Sequence, residues 1–215
     1  MIWLLYFPLM CIIMVVCYLT NPIVVLFCDE NGELPGFLKY WQTWDDSCDS
    51  RYMMTSVIPK SKLLSWLDYG WAEKYDWYYD DSDGLKELGC IRERTKLKDG
   101  VSFSVAERFK RYVCRTLWLT RNCAYGFAFW VFGRDGKIED LVFHKRIEES
   151  EFNEHVDVRE DKERLSTRKW SLRFYKHVVG PLYITGYLGW KIPFWKESGK
   201  YHAMIANRIV PRFKL

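Results

Sequence analysis

The sequence predicts an α+β protein: an N-terminal transmembrane helix followed by a small domain of helices and a mainly antiparallel sheet. Three observations carry this. The first twenty-eight residues hold no charged side chain, Asp29 being the first. Residues 104–121 join an N-capping pattern to apolar residues at helical spacing. From Tyr125 onward the apolar pattern shifts towards period two, the mark of strands.

Ile2 to Leu19 is an apolar run that would make a helix of about 27 Å, close to the hydrocarbon thickness of a bilayer. No positive n-region precedes it, and no small-residue cleavage site follows, since Tyr18-Leu19-Thr20-Asn21-Pro22 is bulky and then blocked by proline. The segment therefore reads as a retained anchor over residues 1–28, with a buried core helix as the alternative. Pro8 falls in the first two turns, where a missing amide costs little, and Pro22 is expected to end or kink the helix. Lys39 is the one cation close behind the anchor, so charge orients it only weakly. The seven cysteines are scattered without a C-x-x-C pair, which fits reduced thiols and a cytoplasmic domain.

Beyond the anchor we expect two regions: 29–100, acidic, aromatic-rich and helical beside the membrane, and 101–215, a basic α+β domain. Residues 29–83 hold 12 acidic and 5 basic side chains, and residues 84–215 hold 16 and 27. The simplest consequence is that the two halves pair with each other; anionic lipid or nucleic acid is the other possible counter-charge. Eleven tryptophans exclude a disordered chain.

Leu34–Trp41 reads as a loop entering a short interfacial helix. Ser61–Tyr75 is helix-compatible through Leu63, Leu64, Leu67 and Trp71, and Asp80–Gly84 is a turn. In Ser104–Arg121, Ser104 and Glu107 form a capping box. Ala106, Phe109, Val113 and Leu117 are the expected buried stripe, with Arg108, Arg111 and Arg115 on another face. Strands are expected over Phe127–Phe132, Lys137–His144, Trp170–His177, Leu182–Trp190 and Tyr201–Ile209. Gly133–Gly136 and Ser198–Lys200 are their expected hairpin turns.

Chemistry is weakly signalled. Asp45, Asp46 and Asp49 could share a divalent cation, but the run lacks the glycine and distal glutamate of an EF-hand, and a solvated turn explains it better. His144, His155, His177 and His202 form no His-Glu-x-x-His, and neither a Gly-x-Ser-x-Gly elbow nor a phosphate-binding loop occurs. Cys114 or Cys123 would need a histidine brought close in space to act as nucleophile. No metal or other cofactor is indicated, and the pattern points away from an enzyme. Candidate binding residues are Arg108, Arg111 and Arg115, a basic helix face for anionic headgroups, and Tyr125, Trp190 and Lys191, an aromatic and cationic cleft wall.

Three blocks occur in order: Asn21–Asp46, with its CysAspGluAsnGlyGluLeuProGly core; ThrArgAsnCysAlaTyrGlyPhe at Thr120–Phe127; and TyrLeuGlyTrpLysIle at Tyr187–Ile192. Together they resemble a group of uncharacterised proteins of tailed bacteriophages and prophages that begin with an apolar segment. In that pattern proline tends to stand where this chain has Trp44 and Cys123. The blocks read as architectural: Asn122 as a left-handed helix cap, Gly126 as a residue free to take unusual dihedrals, and Gly186 and Gly189 as a bulge or close backbone approach. The resemblance implies an accessory protein at the host inner membrane, single-pass, with residues 2–28 in the bilayer. It would bind a host envelope or phage protein, not nucleic acid. The alternatives are a membrane-tethered, metal-dependent hydrolase or nuclease, and a virion-associated structural component. Oligomeric state is not encoded legibly.

Overall fold

The computed structural model describes residues 2–51, 53, 66–80, 92–137, 142–145, 163–166, 172–179, 182–191 and 200–213. They divide into two compact units, one drawn from 1–11 and 132–215, the other from 12–86 and 91–131. The architecture is α+β, as the sequence predicts.

Helix α1 spans Ile2–Val24 and tightens into a 3₁₀ turn at Val25–Phe27. It passes through Pro22, and Thr20 returns its hydroxyl to the Val16 carbonyl at 2.8 Å. The span Leu4–Phe27 is long and apolar enough to cross a membrane, and most of it is not buried. Burial is strictly one-sided. Met10, Cys17, Asn21 and Val24 are buried, whereas Leu4, Leu5, Leu9, Ile12, Val15, Val16, Leu19, Ile23 and Leu26 are exposed. With 3.6 residues per turn, every exposed side chain from Leu4 to Phe27 falls on one continuous half of the helix, about 180° wide. The helix is thus buried on one side only, and by length and composition it is a candidate membrane element.

In the unit drawn from 12–86 and 91–131, strand β1 (Tyr75–Asp80) pairs antiparallel with β2 (Arg92–Leu97), from Tyr75 opposite Leu97 to Asp80 opposite Arg92. The acidic run lies along β2: Asp46 bridges Glu93 in parallel, with Glu93 N donating to the Asp45 carbonyl at 2.8 Å. Helix α2 (Val105–Arg121) begins with the expected capping box, Ser104 and Glu107 each bonding the other's backbone amide. Val24, Leu34, Cys48, Leu67, Trp71, Tyr75, Phe103, Cys114, Trp118 and Leu119 form the core.

In the other unit, β3 (Arg134–Lys137), β4 (Val142–Lys145), β5 (Glu163–Ser166), β6 (Leu172–Val179), β7 (Leu182–Lys191) and β8 (Lys200–Phe213) follow in the chain. The order β3-β8-β7-β6 makes a four-stranded antiparallel sheet, and β4 pairs separately with β5. Trp190, Ala203, Met204 and Ile205 are buried here. The Tyr6 ring sits 5.0 Å from Phe132 and 6.3 Å from Trp190.

Several local expectations are corrected. Phe127–Val131 is a π-helical turn, its register set by Phe129 stacking on Trp44 at 4.4 Å. Arg134–Gly136, expected in a hairpin turn, are strand residues of β3 paired with β8. Gly70–Lys74 is a 3₁₀ turn and Tyr75 already begins β1, so the described end of the Ser61–Tyr75 segment is not α-helical. The left-handed residue after α2 is Ala124, with φ 58°, while Asn122 has φ −107°. Gly126 is required for closeness, because a Cβ there would meet the carbonyl oxygens of Gln42, Tyr40 and Lys39 at 2.5–2.9 Å. The expected Leu34–Trp41 short helix is present as Gly36–Tyr40. Residues 61–65, 81–84, 138–141, 170–171 and 198–199, and His155, lie outside the described residues.

A buried arginine and carboxylate cluster as candidate functional site

The expected face of α2 is only partly right: Val113 and Leu117 pack half-buried against the core, but Ala106 and Phe109 are exposed. Phe109 is 57% exposed, whereas Arg111, Cys114, Arg115, Trp118 and Leu119 are buried. Arginines four residues apart project from one helix face, so Arg111 and Arg115 enter the core together. What draws them in is Asp49, fully buried at the end of the acidic run.

Arg115 grips Asp49 with two nitrogens, Nε to Oδ1 at 3.0 Å and Nη2 to Oδ2 at 2.5 Å. Arg111 Nη2 donates to Oδ2 at 2.9 Å and also to the Tyr75 hydroxyl. The Tyr75 hydroxyl itself lies 2.8 Å from Asp49 Oδ2 and 2.7 Å from the Glu30 carbonyl. Two backbone carbonyls complete the set: Arg115 Nη2 reaches Asp29 O at 2.9 Å, and Arg111 Nη2 reaches Glu30 O at 3.0 Å. Arg111 also lies over the Phe103 ring, 3.8 Å from its centroid, with Tyr75 at 5.4 Å and Trp71 at 5.9 Å. Such stacking suits a planar, weakly hydrated guanidinium.

The carbonyls are aimed by the loop that follows α1. Asp29 Oδ1 accepts from the amides of Asn31 and Glu33 at 2.9 and 2.8 Å, an Asx turn. Gly32 takes φ 80°, and a Cβ there would stand 2.9 Å from Asp49 N. Asn31 then ties the loop to β2, its Oδ1 accepting from Leu97 N at 2.9 Å. The AspGluAsnGlyGlu part of the first sequence block is therefore the mould that presents main-chain oxygens to two buried arginines.

Electrostatics follow from this packing. Burial alone would raise the Asp49 carboxyl, but the charge and hydrogen bonds of Arg115, then of Arg111, outweigh it and hold it below the ordinary value. Burial likewise opposes charge on Arg115, and Asp49 more than offsets that, keeping the guanidinium firmly protonated. Tyr75 is pushed up, by burial first and then by the Asp49 charge. Asp46 is the contrary case: buried beside Asp45 and Glu93, and only partly relieved by Arg92, its carboxyl rises to about 8.

A second knot joins the same charge-separated segments. Glu33 Oε2 meets Arg94 Nη1 at 2.5 Å, Arg92 Nη2 at 3.4 Å and the Gln42 amide at 2.9 Å. Arg51 engages Glu93 at 2.8 Å, and Lys110 engages Asp68 at 2.6 Å. Among the described residues, side chains of 29–83 thus pair with opposite charges between Arg92 and Arg115.

The arrangement bears directly on the expected chemistry. Asp49 is committed to two arginines and is not a solvated turn residue. Among the described residues, no three His, Cys, Asp or Glu side chains gather as metal ligands. The Cys114 thiol is pushed up to about 12, mainly by burial and then by the negative charges of Asp49 and Asp68, so it is not a poised thiolate. Cys123 gives its thiol to the Met14 carbonyl at 3.3 Å.

Of the candidate binding residues, Arg111 and Arg115 come together inside the core, not on a headgroup-facing surface. Arg108 stays exposed and donates to the Phe103 carbonyl at 3.2 Å. Tyr125 is half-buried in the same unit. Trp190 and Lys191 belong to the other unit, Trp190 buried and Lys191 opposite Met204 in the sheet. Asp49 and Tyr75 were missed as partners. The available signal was the run Arg111-Cys114-Arg115-Trp118, a coherent helix face needing one buried anion.

No curated protein and no solved structure matches the chain. A family model does, described as "Family of unknown function (DUF7338)", and it covers residues 1–214. With essentially its whole length matched, the chain belongs to this family of unknown function.

Proposed function

We propose that the protein is a non-catalytic binding protein held at a membrane by α1, acting as a phage accessory factor at the inner membrane of a bacterial host. Its described units would face the cytoplasm and engage a host envelope or phage protein. The carrying observation is the half-cylinder of exposed Leu, Ile and Val along α1, a patch far too apolar to leave in water. The buried charges support a binding role in their own way, since Asp49, Arg111 and Arg115 are spent on holding the fold. Exposed Phe37, Trp66, Tyr78 and Tyr79 add the large aromatic surfaces that protein interfaces favour.

The test is fractionation of cells expressing the full chain, followed by detergent extraction and pull-down. The chain is expected to sediment with membranes, to need detergent for release, to resist protease added from the periplasm, and to bring down a stoichiometric partner. A chain left in the high-speed supernatant overturns the membrane reading. Recovery without a partner overturns the binding reading, and recovery in purified particles would replace both with a virion role.

A further inference from the structure

We infer that α1 lies in the plane of the membrane, sunk to half its thickness, and does not cross it. This rests on the proposed membrane attachment and specifies its geometry.

The argument begins with what lies along the other half of the helix. If α1 spanned a bilayer, its midpoint would fall near Met14, and residues within about 15 Å on either side would be in hydrocarbon. Met14 itself accepts from Cys123, just beyond the end of α2. Eight residues on, Pro22 O accepts from Tyr112 of α2 at 3.1 Å. Between those two contacts α2 runs beside α1 from the midpoint towards its C-terminal end, and this stretch carries Arg115, bonded to Asp49, and Arg121. Two arginines and a buried carboxylate have no place at that depth.

The same holds at the other end. Tyr6, about 12 Å from the midpoint by helical rise, accepts from Arg134 Nη2 at 3.1 Å. Arg134 opens β3, whose Asp135 and Lys137 are also exposed. A strand with exposed charged side chains at that level would again stand in hydrocarbon. Laid flat, α1 removes the conflict in each unit taken by itself, because its exposed half alone then enters the hydrocarbon.

The occupant of the exposed half is lipid. A second copy of α1 would touch one stripe at three- and four-residue spacing and leave the rest of a half-cylinder in water. A bilayer surface covers all of it. The exposed side chains reach about 5–6 Å from the helix axis, within the depth to which interfacial helices sink.

The full chain would be made with a fluorescent unnatural amino acid at Leu5, Ile12, Leu19 or Leu26, all exposed and seven residues apart. It would be reconstituted with phosphatidylethanolamine and phosphatidylglycerol vesicles carrying a doxyl quencher at acyl carbon 5 or 12. Flat immersion gives stronger quenching by the shallow quencher at all four sites, with shallow-to-deep ratios agreeing within about twofold. A ratio that inverts at Ile12 and Leu19 while Leu5 and Leu26 stay shallow means the helix spans, which overturns this inference and leaves membrane attachment standing. Quenching absent at every site overturns attachment itself. Sites dark along one ridge, with cross-linked dimers, would assign that ridge to a second copy and overturn the inference too.

Discussion

Replacing Asp49 by Asn keeps shape and removes one charge, which makes it the cleanest probe of the cluster. In the native protein two guanidiniums face one carboxylate, with side-chain exposures of 7%, 8% and 0% for Arg111, Arg115 and Asp49. Asp49→Asn leaves two buried cations without a counter-ion. Breaking a buried pair from one side costs about 3–5 kcal/mol, a large part of the roughly 5–15 kcal/mol that holds a typical domain. At about 2–4 °C per kcal/mol for a chain of this size, the melting temperature should fall by roughly 6–20 °C. Arg115→Met is the informative control. It leaves Asp49 paired with Arg111 and the cluster neutral, so its loss should be clearly smaller. Tryptophan fluorescence melts in detergent at pH 7 would read both, with Trp71 and Trp77 as nearby reporters. Because the Asp49 carboxyl is depressed when folded, its contribution is complete above the ordinary value of 3.8 and lost as pH falls through the folded value. The gap between native protein and Asp49→Asn should stay constant from pH 5 to 8 and close below about pH 4. An Asp49→Asn protein melting within about 1 °C of native, or above Arg115→Met, would refute the reasoning.

Asp46 should behave oppositely, since its carboxyl rises from 3.8 to about 8 on folding and the native state holds a proton that the unfolded chain releases. Stability should therefore decline as pH climbs between those values, and Asp46→Asn should raise the melting temperature at pH 8 more than at pH 5. Gly126→Ala drives a methyl into three main-chain carbonyls; a denaturant titration should show a loss of at least about 1–3 kcal/mol. Ser104→Ala removes the N-cap of α2 and should cost about 1 kcal/mol in the same titration, with no change in cluster behaviour.

The elements that were readable in advance share one property: their signal is local. The apolar α1, the capping box at Ser104 and strands β6, β7 and β8 each declare themselves within a short window of sequence. The cluster does not, because Asp49 meets Arg115 across 66 residues. Read alone, Asp45-Asp46-Ser47-Cys48-Asp49 looks like surface, and only the two arginines one turn apart on α2 make Asp49 core. On α2, two faces competed: Phe109, Val113 and Leu117 offered more apolar carbon, yet the face with Arg111 and Arg115 was buried. Long-range charge pairing decided against local hydrophobic periodicity there. The π-helical turn at Phe127–Val131 was hidden for a related reason, since β-prone aromatics are held helical by Trp44 stacked on Phe129.

The Asx turn that joins α1 to the core has a mechanical meaning. Between Phe27, the last residue of the apolar segment, and Asp29, whose carbonyl Arg115 clasps, a single residue intervenes. There is no slack at this joint. A sideways push on the C-terminal end of α1 cannot be absorbed by a floppy connector and passes straight to two guanidiniums rooted on α2. Inserting two or three glycines after Cys28 would uncouple the lever from its load and pull the carbonyls out of register with the arginines.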